Sequence, residues 1–290
     1  MPPKQAVNAP PAVPPLLSLL SMADVIENNN PDLRWEAGFS YEPEACGGSD
    51  STGVDDPCNV GEQTVVLGPE FVDVEPFLIY AGDSCSTIGA ATRDWKGRAR
   101  RKLAACESNL IESELWRGTQ ARLAGWTNKW LAHPDADDLS PGVPVSALQA
   151  LACLEQGLAE CNCGSQGMIH ATPQIVTLWA AQNLIIRDGR QLTTHLGTLV
   201  VPGSGYDGSG PAPTELDAPV AAANGSVWAY ATDIVHVRLG SANVVPSTMD
   251  EAVDRLSNLA TFRAERIVSA TWDCCHLAIA IDADLCGIGS

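Results

Sequence analysis

The sequence predicts an α+β protein, and three features of the 290-residue chain lead to this prediction. One long helical pattern occupies residues 92–116. Helix and strand patterns then alternate between residues 143 and 240, as in an α/β or α+β subdomain. The last third of the chain, from residue 227, consists mainly of strand patterns. With 45% hydrophobic residues, the chain has enough apolar side chains for a sizeable core.

The N-terminal 33 residues are rich in Pro, Asn and Ala and show no sustained periodicity. We therefore expect an extended or partly disordered arm. Prolines interrupt its apolar stretch PPAVPPLLSLLSM, and a single Lys precedes it, so we expect neither a signal peptide nor a membrane anchor. In the loop-like residues 34–82, QTVVLG and EPFLIYAG are strand candidates, because β-branched and aromatic residues are bounded by Gly and Pro. Together they predict a hairpin or a projecting loop.

The strongest helical pattern begins near Thr92, a plausible cap, and runs to Trp116, where Gly118 ends it. Its apolar residues recur at intervals of three and four, which places them along one stripe of the helix. The stripe comprises Trp95, Ala99, Leu103, Cys106 and Leu110.

Residues 96–102 read KGRARRK, five positive side chains in seven positions, in a chain whose formal net charge is −18. Such a cluster is typical either of a nucleic-acid or phosphate patch or of a solvated helix face. The acidic balance argues against the whole molecule binding nucleic acid. The positive charges occupy the first half of the helix and glutamates the second, the reverse of what the helix dipole favours. We therefore expect opposite charges nearby, either in the fold or on a neighbouring molecule.

Between residues 143 and 240 the patterns alternate. SALQALACLEQGLAEC predicts a helix from near Ser146 that ends by Gly164, and PQIVTLWAAQNLIIRDG predicts a second helix with Pro173 in its first turn. Strand patterns lie in GMIHATP and TTHLGTLVVPG. The C-terminal strand patterns are VWAYATDIVHVRLG, LATFRAERIVSATW and HLAIAIDADL, with a short helical candidate in STMDEAVDRLS.

Residues 203–208, GSGYDG, match the GxGxxG dinucleotide fingerprint and follow a predicted strand. The fingerprint requires a helix next, but the prolines in SGPAPTELDAP exclude one of useful length. We expect a Gly-rich surface turn instead. The sequence contains no GxxxxGK[ST], HExxH or GxSxG motif, and its five histidines are scattered.

The ten cysteines leave the redox compartment open. Cys46 and Cys58 flank a polar loop that a disulfide or a metal could clip together. The clusters CNC, residues 161–163, and DCCH, residues 273–276, lack the spacing of a zinc site, which favours buried structural thiols. We also expect Cys106 and Cys153 to be buried and reduced. The alternative for DCCH is a thiol nucleophile at Cys274 or Cys275, activated by His276.

Three stretches resemble the major capsid proteins of tailed bacteriophages, which have the Hong-Kong-97-type fold. The C-terminal stretch NLATFRAERIVSATWDCCHLAIAIDA is similar to the frequent ending of that family. PFLIYAGDSCSTIG, and HATPQIVTLW followed by GTLVVPGSGYDG, are similar to the small capsid proteins of phages that infect actinobacteria. The resemblance covers roughly residues 65–285.

The resemblance implies an order of parts along the chain. Residues 1–33 correspond to the N-arm, residues 34–82 to the extended loop and its strands, and residues 83–142 to the spine helix with part of the peripheral domain. Residues 143–226 correspond to the axial α/β domain, and residues 227–290 to the peripheral-domain strands.

The resemblance implies a non-enzymatic shell protein, without cofactor or metal, that forms pentamers and hexamers around double-stranded DNA in a virion assembled in the host bacterial cytoplasm. Its implied partners are a separate scaffolding protein, a portal, a decoration protein and the packaged DNA, with no membrane. The basic segment would then contact acidic residues of a neighbouring subunit or line the DNA-filled cavity, and we favour the contact. The candidate contact residues are Arg98, Arg100, Arg101, Lys102, Glu107, Glu112 and Glu114.

Three alternatives remain open. An encapsulin-like nanocompartment shell has the same architecture and encloses enzymes instead of DNA. A head-tail connector or tail protein would be a different part of a virion. An α/β thiol enzyme or hydrolase would use Cys274 or Cys275 with His276. Particle size separates the shells from the enzyme, because an enzyme of this length would be a monomer or dimer.

Overall fold

The computed structural model describes residues 13–27, 33–44, 71–86, 94–140, 142–161, 164–223 and 225–283. Within them the helices are α1 (Leu19–Met22), α2 (Trp95–Arg117), α3 (Thr119–Ala124), α4 (Ala147–Cys161), α5 (Pro173–Ala181) and α6 (Met249–Ala252), with a 3-10 helix at Leu33–Ala37. The strands are β1 (Asp24–Glu27), β2 (Phe39–Tyr41), β3 (Val72–Val74), β4 (Phe77–Ser86), β5 (Asp137–Asp138), β6 (Gly167–Ala171), β7 (Ile185–Asp188), β8 (Gln191–Thr194), β9 (Leu199–Pro202), β10 (Ser226–Asp233), β11 (His236–Leu239), β12 (Asn243–Val245), β13 (Val253–Asp254), β14 (Leu259–Thr271) and β15 (His276–Asp282). None of these helices is long and apolar enough to cross a membrane.

A seven-stranded sheet has the order β5-β15-β10-β6-β9-β8-β7. Its central strands are buried along most of their length, which explains why their sequences read as continuous apolar runs. Helix α4 packs against β15 and β10, and α5 packs against β6 and β9. The two helices also touch, and the Trp179 indole nitrogen donates to the Ala147 carbonyl at 2.9 Å. Sheet and helices form the α/β layer predicted for the middle of the chain.

A second sheet is built around β14, which pairs antiparallel with β4 over ten residues, from Phe77 opposite Val268 to Ser86 opposite Leu259. It has six strands in the described part of the chain, and β11, β12 and β13 also pair with β14. Strand β4 alternates: Phe77 and Ile79 are buried, whereas Leu78 and Tyr80 are exposed. Because helix α2 packs against β4 and β14, it covers the buried face. A separate pair, β2 and β3, lies apart from both sheets.

Helix α2 confirms the strongest sequence prediction. The Asp94 side chain caps it by accepting from the Gly97 amide at 2.8 Å. At the other end, Gly118 adopts a φ of 56°, a left-handed conformation that ends the helix. The predicted cap, Thr92, lies outside the described residues. The extended pattern EPFLIYAG is also confirmed as β4, whereas QTVVLG lies outside the described residues.

The predicted apolar stripe of α2 is correct only in its first half. Trp95, Ala99 and Leu103 are buried, but Cys106 is exposed and Leu110 is half-buried. Steps of four residues rotate by roughly 40° around the helix, since each residue turns by about 100°. The buried side therefore turns along the helix, from the sheet of β4 and β14 to the seven-stranded layer. Burial resumes at Ser108 and continues at Ile111, Glu112, Leu115 and Trp116.

The structure differs from the prediction in the segment after Pro173. The second predicted helix ends at Ala181, and NLIIRD forms the edge strand β7 instead of extending the helix. Asn183 has a φ of 55°, which only a few residue types tolerate and which breaks the helix. TTHLGTLVVPG also forms two strands, β8 and β9, separated by a turn. The other predicted elements of this region are confirmed.

The sheets do not follow the division predicted at residues 226 and 227. Strands β10 and β15, from the predicted peripheral segment, lie side by side in the middle of the seven-stranded sheet. Their apolar runs require burial on both faces, which the edge of the other sheet does not offer. The chain therefore crosses between the two sheets twice after residue 226, from β10 to β11 and from β14 to β15.

Part of the predicted loose arm is packed in its own subunit. Leu19 and Met22 of α1 are buried, and β1 pairs in parallel with β11. The apolar residues that follow the prolines therefore contribute to the core. Residues 13–16 remain exposed.

Candidate subunit-contact site

The basic segment of residues 96–102 finds its main partner inside the subunit. Asp83 of β4 is 7% exposed, and it accepts from Arg98 Nε at 2.7 Å and from the ammonium of Lys102. Burial acts to raise the pKa of this carboxyl, but the hydrogen bonds and charges of Lys102 and Arg98 outweigh burial and lower the pKa. Two of the five positive charges therefore fasten the helix to β4.

The sequence analysis missed Asp83, although the strand pattern contains its signal. Odd-numbered residues of β4 face the helix, so Asp83 lies on the same side as Phe77 and Ile79. An acid at a core-facing position requires a partner of opposite charge. The nearest basic cluster in the sequence supplies it.

The other positive side chains of the segment are more exposed. Arg101 pairs with the helix cap Asp94 at 3.3 Å, and both side chains are more than half exposed. Lys96 donates to the Ser247 carbonyl and lies 5.9 Å from the centre of the Phe262 ring. Arg100 is exposed and forms no ion pair within the described part of the chain. Arg100 and Arg101 are thus the charges best placed to meet another molecule.

The glutamates of the second half act inside the subunit. Glu107 pairs with Arg266 of β14 at 2.9 Å, and both side chains are mostly buried. Glu114 Oε1 accepts from the amides of Gln120 and Ala121, so it caps helix α3. Burial raises the pKa of both carboxyls, against the lowering effect of their charge and hydrogen-bond partners.

Glu112 is fully buried and joins three parts of the chain. Its Oε1 accepts from the Leu19 amide at 2.9 Å and from the Ser108 hydroxyl at 3.0 Å. Its Oε2 accepts from the Ser204 hydroxyl and the Gly205 amide, each at 3.0 Å. The N-terminal segment, the long helix and the turn after β9 therefore meet at one carboxylate. Glu112 has no surface to offer a neighbour, so its prediction as a contact residue is corrected.

The GSGYDG motif forms the third part of this junction. A Cβ at Gly205 would lie 2.3 Å from the Asn109 carbonyl oxygen, so the turn approaches the helix backbone too closely for any side chain. Tyr206 is buried and packs on Trp116, with ring centres 4.8 Å apart. The motif is a turn, as predicted, but it is an interior packing element and not a free surface turn.

The DCCH cluster does not contain free thiols. Cys275 forms a disulfide with Cys161, and Cys274 is also disulfide-bonded. Both the prediction of buried structural thiols and the thiol nucleophile are therefore wrong for these residues, because residues of CNC and DCCH come together in space. Among the other predicted thiols, Cys153 is free but only half-buried, and Cys106 is free and exposed. Cys46 and Cys58 lie outside the described residues.

His276, the proposed activating base, is buried, and its Nε2 lies 2.8 Å from the Leu131 carbonyl. Burial is the main cause that lowers its pKa to about 4, so the ring is neutral at neutral pH. A cavity of about 270 Å³ lies beside Cys274, between Tyr41, Lys129 and Trp272. The Tyr41 hydroxyl donates to the Trp272 carbonyl at 2.5 Å. The geometry around DCCH fits a structural junction and lacks a thiol nucleophile.

No known protein family and no curated protein matches the sequence. Solved structures do match the fold. The capsid of a native GTA particle superimposes with a TM-score of 0.55 at 10% identity, over 97% of this chain and 94% of that chain. A chain from Mycobacterium phage Cain gives 0.55 at 10% identity, over 98% and 96%.

The holo-SrpI encapsulin complex from Synechococcus elongatus PCC 7942 gives a TM-score of 0.54 at 10% identity, over 98% of this chain and 92% of that chain. At such identities the likeness concerns the fold alone. It extends over nearly the whole of each chain. The predicted fold class is therefore confirmed: this chain has an α+β, Hong-Kong-97-type fold.

Proposed function

We propose that this chain is the major capsid protein of a tailed bacteriophage and self-assembles, as pentamers and hexamers, into an icosahedral shell around double-stranded DNA. The observation that carries the proposal is the fold likeness to the GTA capsid and to the Mycobacterium phage chain over 94–96% of their length. The C-terminal stretch from Asn258 resembles capsid proteins of the same group. The proposed role is structural and involves no catalysis.

Assembly is proposed to use the exposed part of the basic segment. Asp83 already holds Arg98 and Lys102, and Lys96 donates to the Ser247 carbonyl, so Arg100 and Arg101 are the charges best placed to meet another subunit. Their partners are proposed to be exposed carboxylates of an adjacent subunit, of which a chain with 35 acidic residues has many. Individual exposed pairs are weak, but a closed shell repeats each contact many times.

The remaining partners follow from the same proposal. A separate scaffolding protein, a portal and a decoration protein would bind the shell, which would assemble in the bacterial cytoplasm and end in the virion. Packaged DNA would be held without sequence preference. A subunit charge of −18 keeps most phosphate contacts weak, which allows densely packed DNA to move.

An encapsulin-like nanocompartment is the second candidate. The observation that favours it is the likeness in fold to the SrpI encapsulin complex. The two candidates differ in content, DNA against protein cargo. A head-tail connector or tail protein has no counterpart among the three structures compared.

The test is to express the chain, alone and with a co-expressed scaffolding candidate, and to examine it by negative-stain microscopy and sedimentation. We expect closed shells or rings of capsomers. A monomer or dimer at every concentration would contradict both shell proposals. The content of native particles then separates the two: nuclease-protected DNA supports the phage capsid, and an enclosed enzyme without DNA supports the nanocompartment.

A further inference from the structure

The disulfide between Cys161 and Cys275 joins the last residue of α4 to the residue before β15. The two Cα atoms are 5.6 Å apart, and 114 residues separate them in the sequence. Cys275 is fully buried, whereas Cys161 is half-buried. The bond therefore closes a large loop by joining a helix to a strand of the seven-stranded layer. Cys161 is the more accessible of the two residues.

Packing that does not involve the bond already holds both cysteines in place. On α4, Leu154 and Leu158 are buried, and a Cβ at Gly157 would lie 2.7 Å from Cδ1 of Leu277 on β15. Helix and strand are thus in close contact one turn before Cys161. A reduced chain with this packing would present the two thiols to each other.

The loop before β15 is fixed separately. Oδ2 of Asp233, at the end of β10, accepts from the amides of Cys274 and Cys275, each at 2.8 Å. These hydrogen bonds orient Cys275 whether or not its sulfur is oxidised. Both ends of the bond are therefore positioned by the fold.

We propose that the chain folds with Cys161 and Cys275 reduced, and that oxidation afterwards closes a covalent lock between α4 and β15. The oxidant class is a small disulfide such as oxidised glutathione. The more accessible Cys161 thiolate attacks it and releases one glutathione. The Cys275 thiolate then attacks the Cys161 sulfur and releases the second. The two electrons and the two thiol protons end on the two glutathione molecules.

Once closed, the lock resists reduction in the folded protein. Burial blocks attack on the Cys275 sulfur, so a reducing thiolate must attack Cys161 and expel Cys275 as a thiolate. That thiolate would form in a fully buried site, and burial disfavours the charged form. The same burial slows the second closing step. In a reducing compartment the lock stays open, and it closes after the protein leaves.

The test compares the reduced protein with protein incubated in oxidised glutathione, by thermal melting and by mass mapping of the linked peptides. We expect the reduced protein to be folded. Because the bond closes a long loop, oxidation should raise the melting temperature of the wild type roughly 5 to 10 °C more than that of Cys161→Ser. Cys153→Ser, which removes a free thiol from the same helix, should behave like the wild type.

Two further readouts keep the inference falsifiable. Reductant added to the oxidised native protein should leave the bond intact until denaturant is added, and Cys275→Ala should reproduce Cys161→Ser. An unfolded reduced protein, or equal oxidation shifts in the wild type and Cys161→Ser, would overturn the lock. These measurements use the single chain, so they are independent of whether it forms shells.

Discussion

The two halves of helix α2 carry opposite charges, and the charges of one half lie at the surface whereas those of the other half lie in the interior. In the first half, basic side chains lie at the surface and reach a nearly buried acid, Asp83, on the neighbouring strand. In the second half, acidic side chains point inward, and Glu112 serves as a hydrogen-bond acceptor for four donors. The charge pattern along α2 therefore follows the side of the helix that is buried, which turns along its length, and not the helix dipole.

Asp83, which pairs with the first half of the helix, and two glutamates of the second half also differ in the direction of their pKa shifts. Basic partners lower the pKa of Asp83, whereas burial raises the pKa of Glu107 and Glu114. Ionisation of Asp83 therefore stabilises the fold, and ionisation of the two glutamates costs stability.

The largest effect is expected for Glu112→Gln. Each carboxylate oxygen of Glu112 accepts from one backbone amide and one serine hydroxyl, so the NH₂ of a Gln side chain would face a backbone amide donor whichever way it turns. Leaving buried donors unpaired should lower the free energy of unfolding by about 2–4 kcal/mol, measured by urea denaturation. Glu114→Gln is the matched control: one oxygen of Glu114 accepts both of its amide donors, so the variant should change stability by less than about 0.5 kcal/mol. Equal effects of the two variants would contradict the junction at Glu112.

A somewhat smaller loss of stability is expected for Gly205→Ala, which changes the turn after β9 where it contacts helix α2 near Glu112. Gly205→Ala places a Cβ against the helix backbone at Asn109 and Ser113, which cannot move aside as a side chain would. Such overpacking should cost about 1–3 kcal/mol in the same denaturation experiment. At Gly82 on β4 an added Cβ meets nothing closer than 3.7 Å, so Gly82→Ala should be close to neutral. A neutral Gly205→Ala would show that the turn does not contact the helix as described.

A smaller effect is expected for Asp83→Asn, which removes the acid of the first half. Its ionised form should contribute about 1–2 kcal/mol near neutral pH. Because the folded pKa is lowered, that contribution is present above the unfolded value of about 4 and is lost as the pH falls through the folded value. Melting curves from pH 7 down to pH 2 should therefore show that the melting temperature of the variant falls less steeply with decreasing pH than that of the wild type. Asp94→Asn keeps a good helix cap and removes an acid whose pair with Arg101 is exposed, so its loss of stability in acid should differ from that of the wild type less than the loss of Asp83→Asn does. An Asp83→Asn slope equal to that of the wild type would refute the role of Asp83.

Local patterns predicted the helices and most strands, because caps, glycines and apolar periodicity are encoded within a few residues. Gly118 ended α2 as expected, and the RAERIVSAT stretch formed β14. The contacts that define the junction could not be predicted in this way. Three of the four donors to Glu112, on Leu19, Ser204 and Gly205, lie more than 90 positions from it in the sequence, and the Cys161–Cys275 bond spans 114 positions. One missed feature, the buried Asp83, could have been predicted from the alternation of residues along β4.

Reversing the charges of Arg100 and Arg101 tests most directly whether these two exposed arginines act in assembly, as proposed above, while the inward-facing groups hold the fold. Arg100→Glu with Arg101→Glu should change the free energy of unfolding by less than about 1 kcal/mol, because exposed charges contribute little to the fold. Arg187→Glu with Arg190→Glu, in the exposed hairpin of β7 and β8, makes the same change in net charge and serves as the control.

The measurement is the particle size of the Arg100→Glu, Arg101→Glu double variant, by sedimentation and negative-stain microscopy, in the absence of DNA. The account predicts a folded protein that forms no capsomers or shells, while the hairpin control assembles like the wild type. If the arginines instead neutralised packaged DNA, empty shells would form normally and fail only at filling, with a defect that added counterions relieve. Normal empty shells from the double variant would contradict the account.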